Sequence, residues 1–369
     1  MKIRKGAMAS ATALLLVGSL AACGSDETPN SVVTDEAEVS AEEGLVIDGE
    51  TIADQETYEA AKGQTLTLYT GYQEANQKVF NEAFTADTGI KVDFVRDVTN
   101  KLSERILSEH GAGRLPADVI ITSDYKVASN YKDEGILETY TPATIEGQDD
   151  LLIDDGAFAK FANVAVTFAY NTQQVDEANA PTSWKDLLDS EYADKIGITS
   201  GTAGGSSIAL NRFIQEEVDP DYWTKLAALN PTIYDSGGQR QEALARGELA
   251  VATAGTAAVN VAVTKDNAPI ALVVPDEGLV LFSFFIGKVA ESANSEAAQV
   301  FINYALSKRG QSVIAQVGDY GARPDVEPPV AVGEPLPALD SDQVWVMEPE
   351  AEVEYGPADA DVWKAAFGR

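Results

Sequence analysis

The chain has 369 residues, with 26 Lys and Arg against 59 Asp and Glu, a net charge of −33, one Cys and one His. Nucleic-acid backbones and anionic membrane surfaces would repel such a chain, one Cys excludes a disulfide framework, and one Cys with one His leaves no ordinary four-ligand zinc site. The length allows two or three domains of roughly 100–200 residues, and 45% hydrophobic residues suffice for sizeable cores.

At the N-terminus Lys2, Arg4 and Lys5 precede an apolar run over 7–20, the layout of an export signal and shorter than a membrane span. The run ends in Leu20-Ala21-Ala22-Cys23, which resembles the lipobox of bacterial lipoproteins. That resemblance implies removal of residues 1–22 and a diacylglycerol on the Cys23 sulfur, so lipid alone would hold the protein at the membrane. Residues 23–54 are acidic, with no aromatic and no basic side chain. Such a composition reads as a disordered, solvated tether.

A short helix over 55–61 leads into alternating elements. Strand alternation over 65–69 is followed by helical spacing at Val79, Phe80, Ala83 and Phe84, ending at Thr88-Gly89. A strand over 91–95, a helix on Leu102 and Ile106, and an apolar strand over 118–121 complete β-α-β-α-β. His110 falls at the end of the second helix, where an imidazole suits the C-terminal dipole, and is read as structural. This is the pattern of a parallel sheet covered by helices. A second block begins with the long apolar run 164–170. Strands at 195–199 and 249–252 then alternate with helices after Ser206-Ser207 and over 239–246. A second apolar run, 279–286, precedes a helix on Val300, Phe301 and Tyr304. The Pro-rich tail from 324 reads as extended, with a short helix near 361–367.

Five strings in order carry a resemblance: Leu66-Thr67-Leu68-Tyr69-Thr70-Gly71-Tyr72, Phe84 to Val92, Pro116 to Asp124, Thr182-Ser183-Trp184, and Gly318-Asp319-Tyr320-Gly321. Over about residues 64–369 the chain resembles the extracellular solute-binding proteins of ABC importers, in the branch of ferric-iron, hexose-phosphate and phosphonate binders. The resemblance implies an α/β, two-lobed periplasmic-binding-protein-like fold of type 2. Each lobe would be a mainly parallel sheet flanked by helices, with two crossing hinge strands. The expected division is lobe 1 over 55–164 and 284–325, lobe 2 over 165–283, and an extended tail with a terminal helix over 326–369.

Ligands of open α/β sheets sit beyond the carboxyl ends of strands. That rule nominates Thr70, Gly71 and Tyr72 after the first strand, with Tyr72 placed to cover a ligand, and Thr122, Ser123 and Asp124 after the third. In the second lobe it nominates Ser200, Gly201, Thr202, Ser206 and Ser207, where glycines and hydroxyls suit phosphate or carboxylate, and Arg240 in the first turn of its helix. Helix capping by Ser206 or Ser207, and a surface salt bridge for Arg240, stay open as plainer readings. Ferric binders of the family commonly carry paired tyrosines after the strand that here reads 249–252, but this chain continues Thr253-Ala254-Gly255-Thr256. An iron site of Tyr72, Tyr170 and Asp124 is the alternative.

The expected function is capture of a small anionic, possibly phosphorylated, solute for an ABC permease by a monomer that needs no metal or cofactor and catalyses nothing. A ligand-sensing lipoprotein is a further alternative. No Gly-x-Ser-x-Gly elbow is present, and His110 at a helix end offers no triad. Cys23→Ala is expected to leave export intact and to abolish lipidation. Fractionation should then find the variant in the medium and mass spectrometry should find no diacylglycerol on it; identical fractionation of wild type and variant would refute the anchor.

Overall fold

The computed structural model describes residues 36–201 and 204–368; the leader, Cys23 and Thr202 lie outside them. One sheet organises these residues. Its hydrogen-bonded order runs Thr232–Tyr234, Ile196–Thr199, Val251–Gly255, Phe158–Asn171, Leu279–Val289, Val119–Thr122, Thr65–Thr70 and Lys91–Arg96. The three strands at each end pair in parallel. The two long central strands run antiparallel to one another and to the sets they adjoin.

This is the expected two-lobed fold with two crossing strands. The crossing strands carry near-continuous apolar sequence because they are covered on both faces: all eleven residues of Leu279–Val289 are buried, as are all of Phe158–Asn171 except Lys160. Helices Glu74–Thr88, Thr99–Gly111 and Tyr125–Asp133 flank the first parallel set, with His110 in the last turn of the second. Helices Gly205–Phe213, Gly237–Ala245 and Thr256–Thr264 follow the three strands of the other set. No helix among the described residues is long and apolar enough to cross a membrane.

Two expectations need correction. The solvated tether does not extend to residue 54: strands Val39–Ser40, Leu45–Ile47 and Glu50–Ala53 form a small antiparallel sheet. Leu45, Ile47 and Ile52 are fully buried, and the Ile52 carbonyl accepts from Asn303 Nδ2 at 2.7 Å. Glu50 is tied down too, accepting from Arg323 Nη1 at 3.1 Å and from the Lys308 backbone N–H at 2.6 Å. Three fully buried apolar side chains outweigh an acidic average. The tail is also less extended than expected. Strand Val344–Val346 pairs with the start of Leu279–Val289, and the last helix is Ala351–Phe367, with Pro357 inside it. Packing against two helices of the second lobe, Gly205–Phe213 and Tyr222–Ala227, overrides the break that Gly356-Pro357 signals.

Ile52→Ala is expected to cost about 2–5 kcal/mol, as for other buried aliphatic truncations. Urea unfolding measures it; a change within about 0.5 kcal/mol would fit a solvated segment instead.

Candidate functional site

Between the two parallel sets lies a cavity of about 780 Å³. Its walls come from both lobes: Gln73, Arg96 and Val98 on one side, Thr199, Gly201, Ser206, Ser207 and Arg240 on the other, with Val164, Val166 and Phe282 of the crossing strands behind. Four of the nominated residues therefore meet here, Gly201, Ser206, Ser207 and Arg240.

Ser206 and Ser207 lie in the first turn of helix Gly205–Phe213, but its N-cap is Gly204 and makes no side-chain cap bond. Neither serine is spent on capping, and both line the cavity. Gly201 is needed for close packing, since a Cβ there would stand 2.4 Å from Trp363 Cε3. Two further helices begin at the same wall. Ser236 caps Gly237–Ala245 by accepting from the Gln239 N–H, whereas Gly255 before Thr256–Thr264 gives no side-chain cap. Gly237, Gly238, Gly255 and Ala258 line the cavity, so three helix N-termini, each carrying partial positive charge, bound it.

Arg240 is the centre of the electrostatics. It is 8% exposed, donates from Nη1 to Thr199 Oγ1, and has no partner for Nε. Burial pushes its guanidinium down to about 10, which still leaves it charged at neutral pH. Four basic side chains are buried among the described residues. Lys288 pairs with Glu138, Arg309 with Asp87 at 2.8 Å, and Arg323 with Glu50 and Asp325 at 3.1 and 2.8 Å. Arg240 has no carboxylate partner among these residues, so the surface salt bridge is not its role. A buried cation without a counter-charge costs several kcal/mol, and an anion in the cavity would offset that cost. The carboxylates that line the cavity, Asp235, Glu242 and Asp266, are all solvent-exposed.

The first-lobe nominations turn inward. Tyr72 is fully buried, edge-on to Phe161 and Phe284, and donates to Asp319 Oδ2 at 2.5 Å. It is not among the residues that line the cavity. Thr70 donates to Gln77 Oε1 at 2.9 Å and accepts from the Tyr72 N–H, while the Gly71 N–H bonds the Ile121 carbonyl at 2.8 Å. Thr122 is buried on its strand, and Ser123 Oγ lies 3.1 Å from Thr99 Oγ1. Asp124 caps helix Tyr125–Asp133 by accepting from the Val127 N–H at 2.9 Å. Thr70 and Asp124 serve a turn and a cap, and none of the six lines the cavity. Ser200 is half-buried beside the cavity and is not among its lining residues. Tyr72, Tyr170 and Asp124 do not line the cavity, and no Tyr or His lines it among the described residues. Within the same residues no three His, Cys, Asp or Glu side chains cluster as metal ligands.

Arg96, Gly255 and Trp363 are among the lining residues that the sequence reading did not nominate. Arg96 ends strand Lys91–Arg96, where the strand-end rule applied, and donates to the Tyr72 carbonyl at 3.2 Å. Gly255 follows its strand with the small-residue signal used elsewhere. Trp363 had no such signal.

Comparison with known proteins agrees with this geometry. The family model described as bacterial extracellular solute-binding protein matches residues 115–344. Spermidine/putrescine-binding periplasmic protein 1 of Haemophilus influenzae is 30% identical over 275 residues, 70% of this chain and 75% of that protein. A Salmonella typhimurium protein, named as a candidate 2-aminoethylphosphonate-binding periplasmic protein, is 26% identical over 258 residues, 67% of this chain and 74% of its own length. In fold the chain is similar to the substrate-binding protein of an ABC transporter from Agrobacterium tumefaciens, with a TM-score of 0.70 and 17% identity over 84% of this chain and 97% of that one.

Asp319 supplies a test of the buried network. Its carboxyl is pushed up to about 6 by burial, against the opposing bonds from Tyr72 and Asn76. The native state therefore binds more protons than the unfolded chain between about pH 4 and 6, and stability falls as pH rises through that window. Asp319→Asn keeps an acceptor for the Tyr72 hydroxyl and removes the charge. Calorimetry should find a higher Tm at pH 7, by roughly 2–4 °C for each kcal/mol regained, and a flatter profile between pH 4 and 6. A lower Tm at pH 7 would contradict the assignment.

Proposed function

The chain belongs to the bacterial extracellular solute-binding proteins, and we propose that it captures a small organic anion in the interlobe cavity and delivers it to the permease of an ABC importer. The observation that carries this reading is Arg240, a buried guanidinium in the cavity wall with no carboxylate beside it. Guanidinium suits carboxylate and phosphate because its N–H fork matches paired oxygens. Ser206, Ser207 and the helix N-termini add donors around the same point. A cavity of about 780 Å³ falls within the 300–1,000 Å³ typical of organic ligands, and is far larger than a bare metal ion requires.

The Salmonella relative is named for a phosphonate that also bears an amine, and the Haemophilus relative for polyamines. An amine on the ligand would find Asp235, Glu242 or Asp266 at the rim. The charge buried in the wall is positive, which favours an anionic group as the anchoring part of the ligand. Lobe 1, over 55–164 and 284–325, and lobe 2, over 165–283, would close about the crossing strands. The ligand drives closure by its higher affinity for the closed state. The protein works as a monomer held at the outer face of the membrane by lipid on Cys23.

A thermal-shift panel of phosphonates, hexose phosphates, carboxylates, polyamines and ferric citrate identifies the class, because a tight ligand raises Tm by mass action. Titration calorimetry with the binder then compares two variants. Arg240→Ala is expected to lose at least tenfold in affinity, in line with the 2–5 kcal/mol that a buried charge partner commands. Arg246→Ala removes an exposed side chain paired with Glu242 and Glu248 and should stay within about twofold of wild type. Equal affinities in the two variants would refute the anion reading and shift it to the acidic rim.

A further inference from the structure

The C-terminal helix Ala351–Phe367 lies beyond residues 115–344 that the family model matches, yet it places a side chain in the cavity wall. Trp363 is 1% exposed, and its six-membered ring packs on Gly201, where a Cβ would stand 2.4 Å from Cε3 and 2.6 Å from Cδ2. Behind it the indole meets Trp223 at 4.9 Å and Phe367 at 4.3 Å between ring centroids. One turn earlier, Asp359 clamps the helix to Gly205–Phe213. Its carboxylate accepts from Arg212 Nη1 at 3.1 Å and Gln215 Nε2 at 3.0 Å, and its carbonyl accepts from Asn211 Nδ2 at 3.0 Å. The helix so clamped is the one whose first turn carries Ser206 and Ser207.

We propose that Trp363 is a positioning residue that seats Gly201 and the first turn of helix Gly205–Phe213, making the C-terminal helix a wall of the binding site. Two contacts flank this wall, the indole on Gly201 and the Asp359 clamp at the C-terminal end of the helix that carries Ser206 and Ser207. A glycine under the ring lets the backbone approach the indole directly, so the position of Gly201 depends on a flat surface rather than on interlocking side chains. The proposal rests on the reading that this wall receives the anion.

Hydrogen–deuterium exchange on the ligand-free mature chain tests it. Trp363→Ala is expected to speed exchange across 200–208 at least tenfold while strand Thr65–Thr70 in the other lobe keeps its wild-type rate. Trp363→Phe, which keeps a flat ring, should restore the loop's protection. Unchanged exchange over 200–208 in Trp363→Ala overturns the proposal. Equal acceleration of loop and strand overturns it as well, since Trp363 would then be a general core residue. Gly201→Ala reads the contact from the loop side: its methyl meets the indole, so the loop should accelerate alone and recover when Trp363→Leu makes room. No recovery in that double variant counts against the contact. Because no ligand is present, failure of the anion reading, which Arg240→Ala exposes, leaves this result readable by itself.

Discussion

Strands Phe158–Asn171 and Leu279–Val289 pair antiparallel through the middle of the sheet, and both lobes hang on that pairing. Each strand gives one end to each lobe. The first pairs with Tyr320–Gly321 near its start and with Val251–Gly255 near its end, and the second pairs with Val344–Val346 at its start and Val119–Thr122 at its end. Every buried amide along them must be satisfied by a neighbour. The lobes are therefore joined by backbone hydrogen bonds rather than by a flexible linker, and the cavity forms where the two parallel sets diverge. Its rear wall, Val164, Val166 and Phe282, belongs to the joint itself. A register shift between Phe284 and Phe285 marks the place where the paired strands bend.

The charge distribution follows a different logic from the net value of −33. Most acidic groups face water, where mutual repulsion is screened. The few cations that enter the interior are matched to carboxylates, as Arg309 is to Asp87 and Arg323 is to Glu50 and Asp325. Asp319 and Arg240 break this rule in opposite lobes. Asp319 is neutralised in part by donors, Tyr72 and Asn76, and by its raised proton affinity. Arg240 has one hydroxyl and the open cavity. Each imbalance costs free energy, but only the second faces a space that a solute can fill.

The sequence was most legible where one physical cause dominates. Continuous apolar runs announced the crossing strands because burial on both faces admits nothing else. In the second lobe, glycines and hydroxyls at strand ends pointed to Gly201, Ser206, Ser207 and Arg240. The identical signal misled in the first lobe, because Thr70 and Asp124 use the same chemistry for a turn and a cap and Ser123 bonds Thr99. Local sequence cannot tell a hydroxyl bonded to its own backbone from one left for a ligand. Composition misled over 39–53, where averaging hid Leu45, Ile47 and Ile52. Trp363 was illegible for a third reason, since its contact with Gly201 is tertiary and leaves no periodic trace.

Where the lobes meet, glycines allow close approach. A Cβ on Gly205 would stand 2.9 Å from the Ser123 carbonyl oxygen of the opposite lobe, and one on Gly318 would stand 3.3 Å from Ala257 Cβ. A side chain added at Gly205 would meet a peptide carbonyl, which substitution cannot trim. Descendants of this gene could exchange one solute for another by altering Arg96, Asp235 or Glu242 on the walls while keeping the same aperture. Any larger residue at Gly205 would instead press on the Ser123 carbonyl oxygen and the Phe282 ring, straining the contact between the lobes before it altered the walls. Divergence in cargo is then cheap for this scaffold, and divergence at this contact is not.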